Sequence, residues 1–533
     1  MVKAFYKFIN SCCQSQLFPE WFIKRRTKLA SKIVTPIFCH DKTIFDPESE
    51  FIIHINARFS GFNVVEKIGT FGNVFQPMKR VIVLLFVLIP PLVGTGQEPD
   101  SLMVAKIFTE ALTSREAYEN LRYLCKECEG RIAGTPEAAK AVEFTRQVML
   151  DLDLDSVYLQ KLMVKRWVRG KVEHCRIMSA RLGSVDLSVT GLGLSVGTTG
   201  MGLTAGVIEV NGIEDLERFG PKAIDGKVVF FNKPMDPTLL NTFRAYGEAA
   251  GQRTRGASRA APYGAVAVIV RSLTTALDDH PHTGVMYYEE GVKQIPAVAV
   301  STMDAELLSD WLKEDPDLHM HLVSNCRNMP EVSSFNVIGE IRGFDYPDQI
   351  ITVGGHLDAW DNSEGAHDDG AGCVQAIDVL RLYKNLGIRP KRTIRAVMFM
   401  DEEIAQRGGK KYAELAELND EVHYVALESD RGGLMPRGFG IGTAGSRLEQ
   451  MLSLEKFFRP YGITEFKPGG GGVDIGPLKK FGTPLISFVP DQQRYFDYHH
   501  SPNDTFEQVN IRELQMGSAA MASLLYLIDK LDY

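Results

Sequence analysis

Between Phe335 and the C-terminus, short apolar runs alternate with stretches of helical period, and few architectures accept that pattern. Val337–Ile341, Gln349–Val353, Thr393–Met400, Tyr424–Leu427 and Leu485–Val489 read as strands. Ala371–Leu386, closed by Gly387, and a stretch at about 409–417 read as helices. Strands that alternate with helices fold into a largely parallel sheet covered on both faces. The expected fold class is therefore α/β, with a mostly parallel central sheet flanked by helices. In such a sheet, ligand chemistry gathers at the carboxyl ends of the strands.

The polar residues lie at those ends. Strand 350–353 runs into Gly354, Gly355, His356, Leu357 and Asp358, and the following turn carries His367, Asp368, Asp369 and Gly370. Strand 393–400 ends in Asp401, Glu402 and Glu403, strand 424–427 in Glu428, Ser429 and Asp430, and strand 485–489 is followed by Tyr498, His499, His500 and Asp504. One acidic pair is ordinarily a solvated loop. Five such groups at strand ends would repel one another unless cations neutralised them. Histidines mixed with carboxylates suit Zn²⁺, whereas Mg²⁺ and Ca²⁺ prefer oxygen alone. More than four candidate ligands point to two metals sharing one carboxylate.

In order, His356-Leu357-Asp358, Asp368-Asp369-Gly370, Glu402-Glu403, Glu428-Ser429-Asp430 and His500 with Asp504-Thr505 resemble the motifs of the di-zinc aminopeptidase and glutamate-carboxypeptidase family. The likeness runs from about residue 110 to the C-terminus and includes Pro281-His282-Thr283-Gly284. It implies two Zn²⁺ per chain: one on His356 and Asp430, the other on Glu403 and His500, with Asp368 between them. It further implies Glu402 as the general base acting on a metal-bridging water, and Asp358 as the residue orienting His356. His500 is selected over His499, and Asp368 over Asp369, by position in the family motifs. Asp401 and Ala405 depart from the family, which commonly has a small residue and a glycine there. Lys467 to Asp474, with four consecutive glycines, reads as a flexible loop that the resemblance places against the substrate. Dipeptides or short peptides are the implied substrates, and a homodimer the implied assembly.

At 533 residues the chain needs more than one compact unit. From residue 187 to 329 the texture changes to glycine-rich and short β runs, among them Gly206–Val210, Lys227–Phe231, Ala265–Val270 and Pro296–Val300. This segment is expected as an inserted α/β domain similar to a protease-associated domain. It would divide the catalytic domain into residues 97–186 and 330–533.

The formal net charge of −8 and pI near 5.9 exclude a basic nucleic-acid binder. Residues 1–80 nevertheless carry a surplus of 12 basic over 6 acidic side chains. Met78-Lys79-Arg80, an apolar run to Leu92 and small residues to Gly96 have the form of a secretory signal peptide, too short to span a bilayer. That predicts a secreted or extracytoplasmic protein (periplasmic if bacterial) with no stable membrane insertion, and residues 1–77 as a spurious extension. A signal anchor with a basic cytoplasmic tail is the alternative. Cys125, Cys128, Cys175, Cys326 and Cys373 are too few for a disulfide framework. Cys125 and Cys128 are expected as half-buried thiols or one local bridge. The Asn503 sequon, crowding the metal motif, is expected to stay unmodified.

Three rival readings use the same residues. A glutaminyl-cyclase-like acyltransferase would keep one zinc, and a receptor-like relative would lack ligands, yet none is missing. Structural calcium on acidic loops leaves both histidines without a role.

Overall fold

The computed structural model describes residues 99–533; the signal-like segment 78–96 and the stretch 1–77 lie outside the described residues. Helices Asp100–Thr113, Glu116–Glu127 and Pro136–Asp151 lead into strand β1, Ser156–Val168. Eight strands of a second sheet follow: β2 (His174–Ser179), β3 (Gly183–Leu187), β4 (Val189–Gly191), β5 (Leu203–Val210), β6 (Val228–Phe231), β7 (Ala267–Arg271), β8 (Ala297–Val300) and β9 (His319–Val323). The chain then returns to the first sheet with β10 (Arg327–Ile341), β11 (Tyr346–His356), β12 (Arg392–Phe399), β13 (Val422–Glu428), β14 (Pro436–Gly442), β15 (Glu465–Pro468) and β16 (Leu485–Pro490).

The first sheet has the order β1-β10-β12-β11-β13-β16-β14-β15. Its four central strands, β12, β11, β13 and β16, are parallel, while β1 and β10 on one side and β14 on the other join antiparallel. The sheet is thus mixed, with its parallel part at the centre. Alternation along β12 shows why the centre is buried on both faces. Ile394, Ala396 and Met398 pack into a core with the Ala371–Leu386 and Ile511–Leu531 helices, while Val397 and Phe399 pack against Tyr412, Ala413 and Ala416 of helix Arg407–Leu418.

The second sheet, β3-β2-β9-β5-β6-β7-β8-β4, repeats the logic. Val229, Phe231, Val268 and Val270 face one core with Ala257 and Ala260, and Val228, Phe230, Ala267 and Ile269 face another with Leu308. Its first strands, β2 and β3, both start before residue 187, so this sheet begins at His174 rather than at the composition change. Both are only partly covered and carry polar residues, which hides them from an apolar-run reading. All five cysteines of the described residues are free and buried; Cys125 and Cys128 are neither bridged nor half-exposed, because both face the helical core. Among the described residues, no helix is long and apolar enough to cross a membrane.

Candidate metal centre

Three adjacent parallel strands deliver the site. β11 ends on His356, β12 runs into the Glu402–Ala405 helical turn, and β13 ends two residues before Asp430. β11 lies between the other two, so successive connections leave it on opposite sides and open a crevice at the strand ends. Asp368 enters from the turn ahead of the Ala371–Leu386 helix, and His499 and His500 follow β16.

Asp368 stands at the middle. Its Oδ1 is 3.1 Å from Nε2 of His356, and its Oδ2 is 3.4 Å from Nε2 of His500. His356 Nε2 is also 3.4 Å from Asp430 Oδ1, and His500 Nε2 is 3.1 Å from Glu403 Oε2. Two half-sites therefore share one carboxylate. His499 stacks on His500 and points Nε2 at the same Asp368 oxygen from 3.8 Å.

Asp368 Oδ2 and Glu403 Oε1 are buried and accept no hydrogen bond. Bare buried carboxylate oxygens are costly without a donor or a cation. His356, Asp368 and Glu403 each bring a ligand atom within 4.8 Å of the others, as do Asp368, His499 and His500, and His356, Asp369 and Asp430. Convergent imidazole nitrogens and unsatisfied carboxylates fit zinc.

Burial shifts several of these groups. It raises the Glu402 carboxyl well above the carboxylate range, against His356 and with Asp430 and Asp358. It raises Glu403 likewise and drives His500 well below the ordinary imidazole range. For Asp368 burial is outweighed by the hydrogen bond from His356 and the charge of His499 and His500, so its carboxyl stays low.

Backbone donors fix the carboxylates that surround this centre. Asp358 Oδ1 accepts the N–H of Asp401 at 2.8 Å and of Glu402 at 3.1 Å, and its Oδ2 accepts that of Glu403 at 3.3 Å. Its carboxylate lies 4.0 Å from Nδ1 of His356; the atom that meets this nitrogen, at 2.9 Å, is the main-chain carbonyl of Asp358. Asp358 thus touches His356 through its backbone and the Glu402–Glu403 turn through its side chain. Asp369 accepts the N–H of His356 and of Gly372, at 3.1 and 3.0 Å. Asp504, to which sequence reasoning assigned no role, accepts the N–H of His367 and of Asp368 at 2.7 and 3.0 Å. Its place four residues after His500 was the available signal.

The second sheet also reaches the site. His282 Nδ1 is 2.6 Å from the carbonyl oxygen of His499, so Nδ1–H donates to it. Thr283 donates its N–H to the carbonyl of His500 at 2.9 Å, and its own carbonyl is 3.3 Å from Nδ1 of His500. Pro281–Gly284 is therefore a strap that holds both histidines through main-chain contacts, a role spacing alone does not reveal.

Asp401 is fully buried in a left-handed conformation (φ 72°), and neither of its oxygens accepts a hydrogen bond. Burial, with the charge of Asp358, pushes its carboxyl up to about 8. The four-glycine loop is fastened rather than loose. Glu428 accepts the N–H groups of Val473, Asp474 and Ile475 at 2.7–2.9 Å, and Ser487 bonds both the N–H and the carbonyl of Gly471. A Cβ at position 472 would meet the Glu428 carboxyl carbon at 2.3 Å, so the close approach requires glycine.

This geometry can be set beside known proteins. Residues 336–525 match Peptidase family M28. Carboxypeptidase Q of Bos taurus is 33% identical, with 82% of this chain and 90% of the relative aligned. The crystal structure of a Peptidase M28 precursor from Shewanella amazonensis, also 33% identical, superposes with a TM-score of 0.77 over 81% of this chain and 96% of that one. A zinc aminopeptidase from Bacillus subtilis shares the fold at 22% identity, with a TM-score of 0.56 over 77% of this chain and 94% of that one. On these matches the chain belongs to peptidase family M28 and is a metallo-exopeptidase.

Proposed function

We propose that the chain is a secreted, zinc-dependent exopeptidase that hydrolyses dipeptides or short peptides, with two Zn²⁺ per chain. His356 and Asp430 hold one ion, Glu403 and His500 the other, and Asp368 lies between them. The observation that carries this reading is Asp368 itself, with one oxygen facing His356 and the other facing His500. Zinc bound there supplies a Lewis acid for the peptide carbonyl and lowers the pKa of a water.

The chain's own residues do the rest. Glu402, half-buried at the rim, takes the proton of the attacking water and passes it to the leaving amine. Asp358 holds the Glu402 main chain in place, and Asp504 does so for Asp368. The segment forming the second sheet acts as a protease-associated-like insert whose strap fixes His499 and His500. The signal-like segment at 78–96 supports secretion, and the family resemblance supports a homodimer.

Glu402→Gln tests the central step. It should bind zinc at the wild-type stoichiometry and lose turnover of a dipeptide panel by about 10²–10⁴-fold. Wild-type turnover in that variant would remove Glu402 from the mechanism. Dipeptide hydrolysis that survives chelation would remove zinc from it.

A further inference from the structure

A cleft of about 980 Å³ opens along the glycine loop and the end of β16. Arg431, the residue after Asp430, forms part of its wall, as does the glycine loop that packs on Glu428. Three cations line it: Arg431, Arg437 and Lys467. Arg437 pairs with Asp491 and Lys467 with Glu465, both acids of the same wall. Arg431 has neither a hydrogen bond nor a carboxylate partner among the described residues. Its guanidinium instead lies over the ring of Phe243, 4.8 Å from the centroid.

That arrangement leaves one positive charge in the cleft uncompensated. Stacking on an aromatic face fixes the plane of a guanidinium while leaving its N–H edge available, the geometry that takes a carboxylate in two parallel hydrogen bonds. Phe243 comes from the helix Thr242–Ala249, and Leu240 and Asn241 just before it line the cleft, so the segment of the second sheet contributes to this wall. The glycine loop lines the same cleft with bare backbone, against which an extended peptide can lie.

We propose that Arg431 binds a carboxylate of the substrate, seating an anionic group of the peptide in this cleft while the scissile bond lies over Asp368 and Glu402. The inference rests on the peptidase reading above and names its substrate class: peptides carrying a carboxylate next to the bond cleaved. That carboxylate is either the C-terminal one or the side chain of an Asp or Glu.

Calorimetry on the zinc-loaded full chain distinguishes these with three probes: leucine, with an α-carboxylate; glutamic acid 1-amide, with only a side-chain carboxylate; and leucinamide, with neither. The expected result is that one of the two carboxylates binds at least about tenfold more tightly than leucinamide, and the one that does identifies the source. Arg431→Gln should abolish that ratio, and Arg431→Lys should restore part of it. Phe243→Ala, which touches no metal donor, should reduce the ratio at unchanged zinc content by unstacking the guanidinium. Equal binding of all three probes, or a ratio unchanged in Arg431→Gln, overturns the assignment. Absence of dipeptide hydrolysis by the wild-type chain would instead refute the peptidase reading, with the binding ratio standing apart from it.

Discussion

The carboxylate of Asp358 accepts the backbone N–H of Glu402 at 3.1 Å, so the aspartate two residues after His356 anchors the chain that carries the proposed base. It accepts from Asp401 and Glu403 as well and lies only 4.0 Å from the outer nitrogen of His356, whose hydrogen bond goes to the Asp358 carbonyl. Asp358→Asn keeps an acceptor oxygen but loses the charge. The expected effect is a fall of about 10–100-fold in kcat, the usual scale for residues supporting a metal ligand. Zinc affinity should change less, since the His356 contact is through the main chain. A zinc affinity that falls as far as kcat would show that the side chain acts on His356 after all.

Asp368 is the one carboxylate common to both halves, and its two oxygens face different histidines. Asp368→Asn should therefore lower zinc stoichiometry at both positions, not one. Metal analysis after dialysis against buffered zinc checks this. Loss of a single ion per chain would show that the halves are independent.

How much of this was legible in the sequence follows from what makes a residue visible there. Ala396 to Phe399 of β12 and Tyr424 to Leu427 of β13 are unbroken apolar runs on a sheet covered on both faces, and the acids after them stand out against that background. The outer half of β10 escapes notice: from Arg327 it pairs with β1 while mostly exposed, so it lacks an apolar pattern. The strap is hidden for another reason. His282 and His499 are 217 residues apart, and the imidazole of the one meets only the main-chain carbonyl of the other, so nothing in the side chain at 499 marks the contact. Asp358 and Asp504 likewise act on backbone N–H groups, so their chemistry appears only once the turns are folded.

Gly284 closes the strap at φ 135°, and a Cβ there would approach Arg253 Nη1 to 2.4 Å. Arg253 is itself buried against His500. Gly284→Ala should destabilise the chain by roughly 1–3 kcal/mol, through backbone strain and displacement of the guanidinium. Because Thr283 holds His500, zinc affinity should fall in parallel. Chemical unfolding and zinc titration of the same variant test the link; a stability loss with unchanged zinc affinity would make the strap structural only.

Distant from the catalytic residues, Arg395 grips Glu421 through both oxygens, at 2.8 and 3.1 Å, and Glu340 at 2.6 Å. Burial opposes charge on Glu421, but hydrogen bonds from His423 and Arg395 and the charge of Arg395 hold its carboxyl down to about 2. Burial also lowers the pKa of His423, and Arg395 is the permanent charge that compensates Glu421. A carboxyl depressed on folding contributes stability that is complete above its unfolded value, near 4.5, and is lost as pH falls towards 2. Glu421→Gln should therefore be less stable than wild type by on the order of 1–3 kcal/mol at neutral pH. That difference should shrink steadily between pH 4.5 and 2, because the wild-type carboxylate is being protonated while the amide does not titrate. Urea unfolding of both proteins across this range measures it. A difference that stays constant with pH would mean that Glu421 contributes through packing and not through its charge.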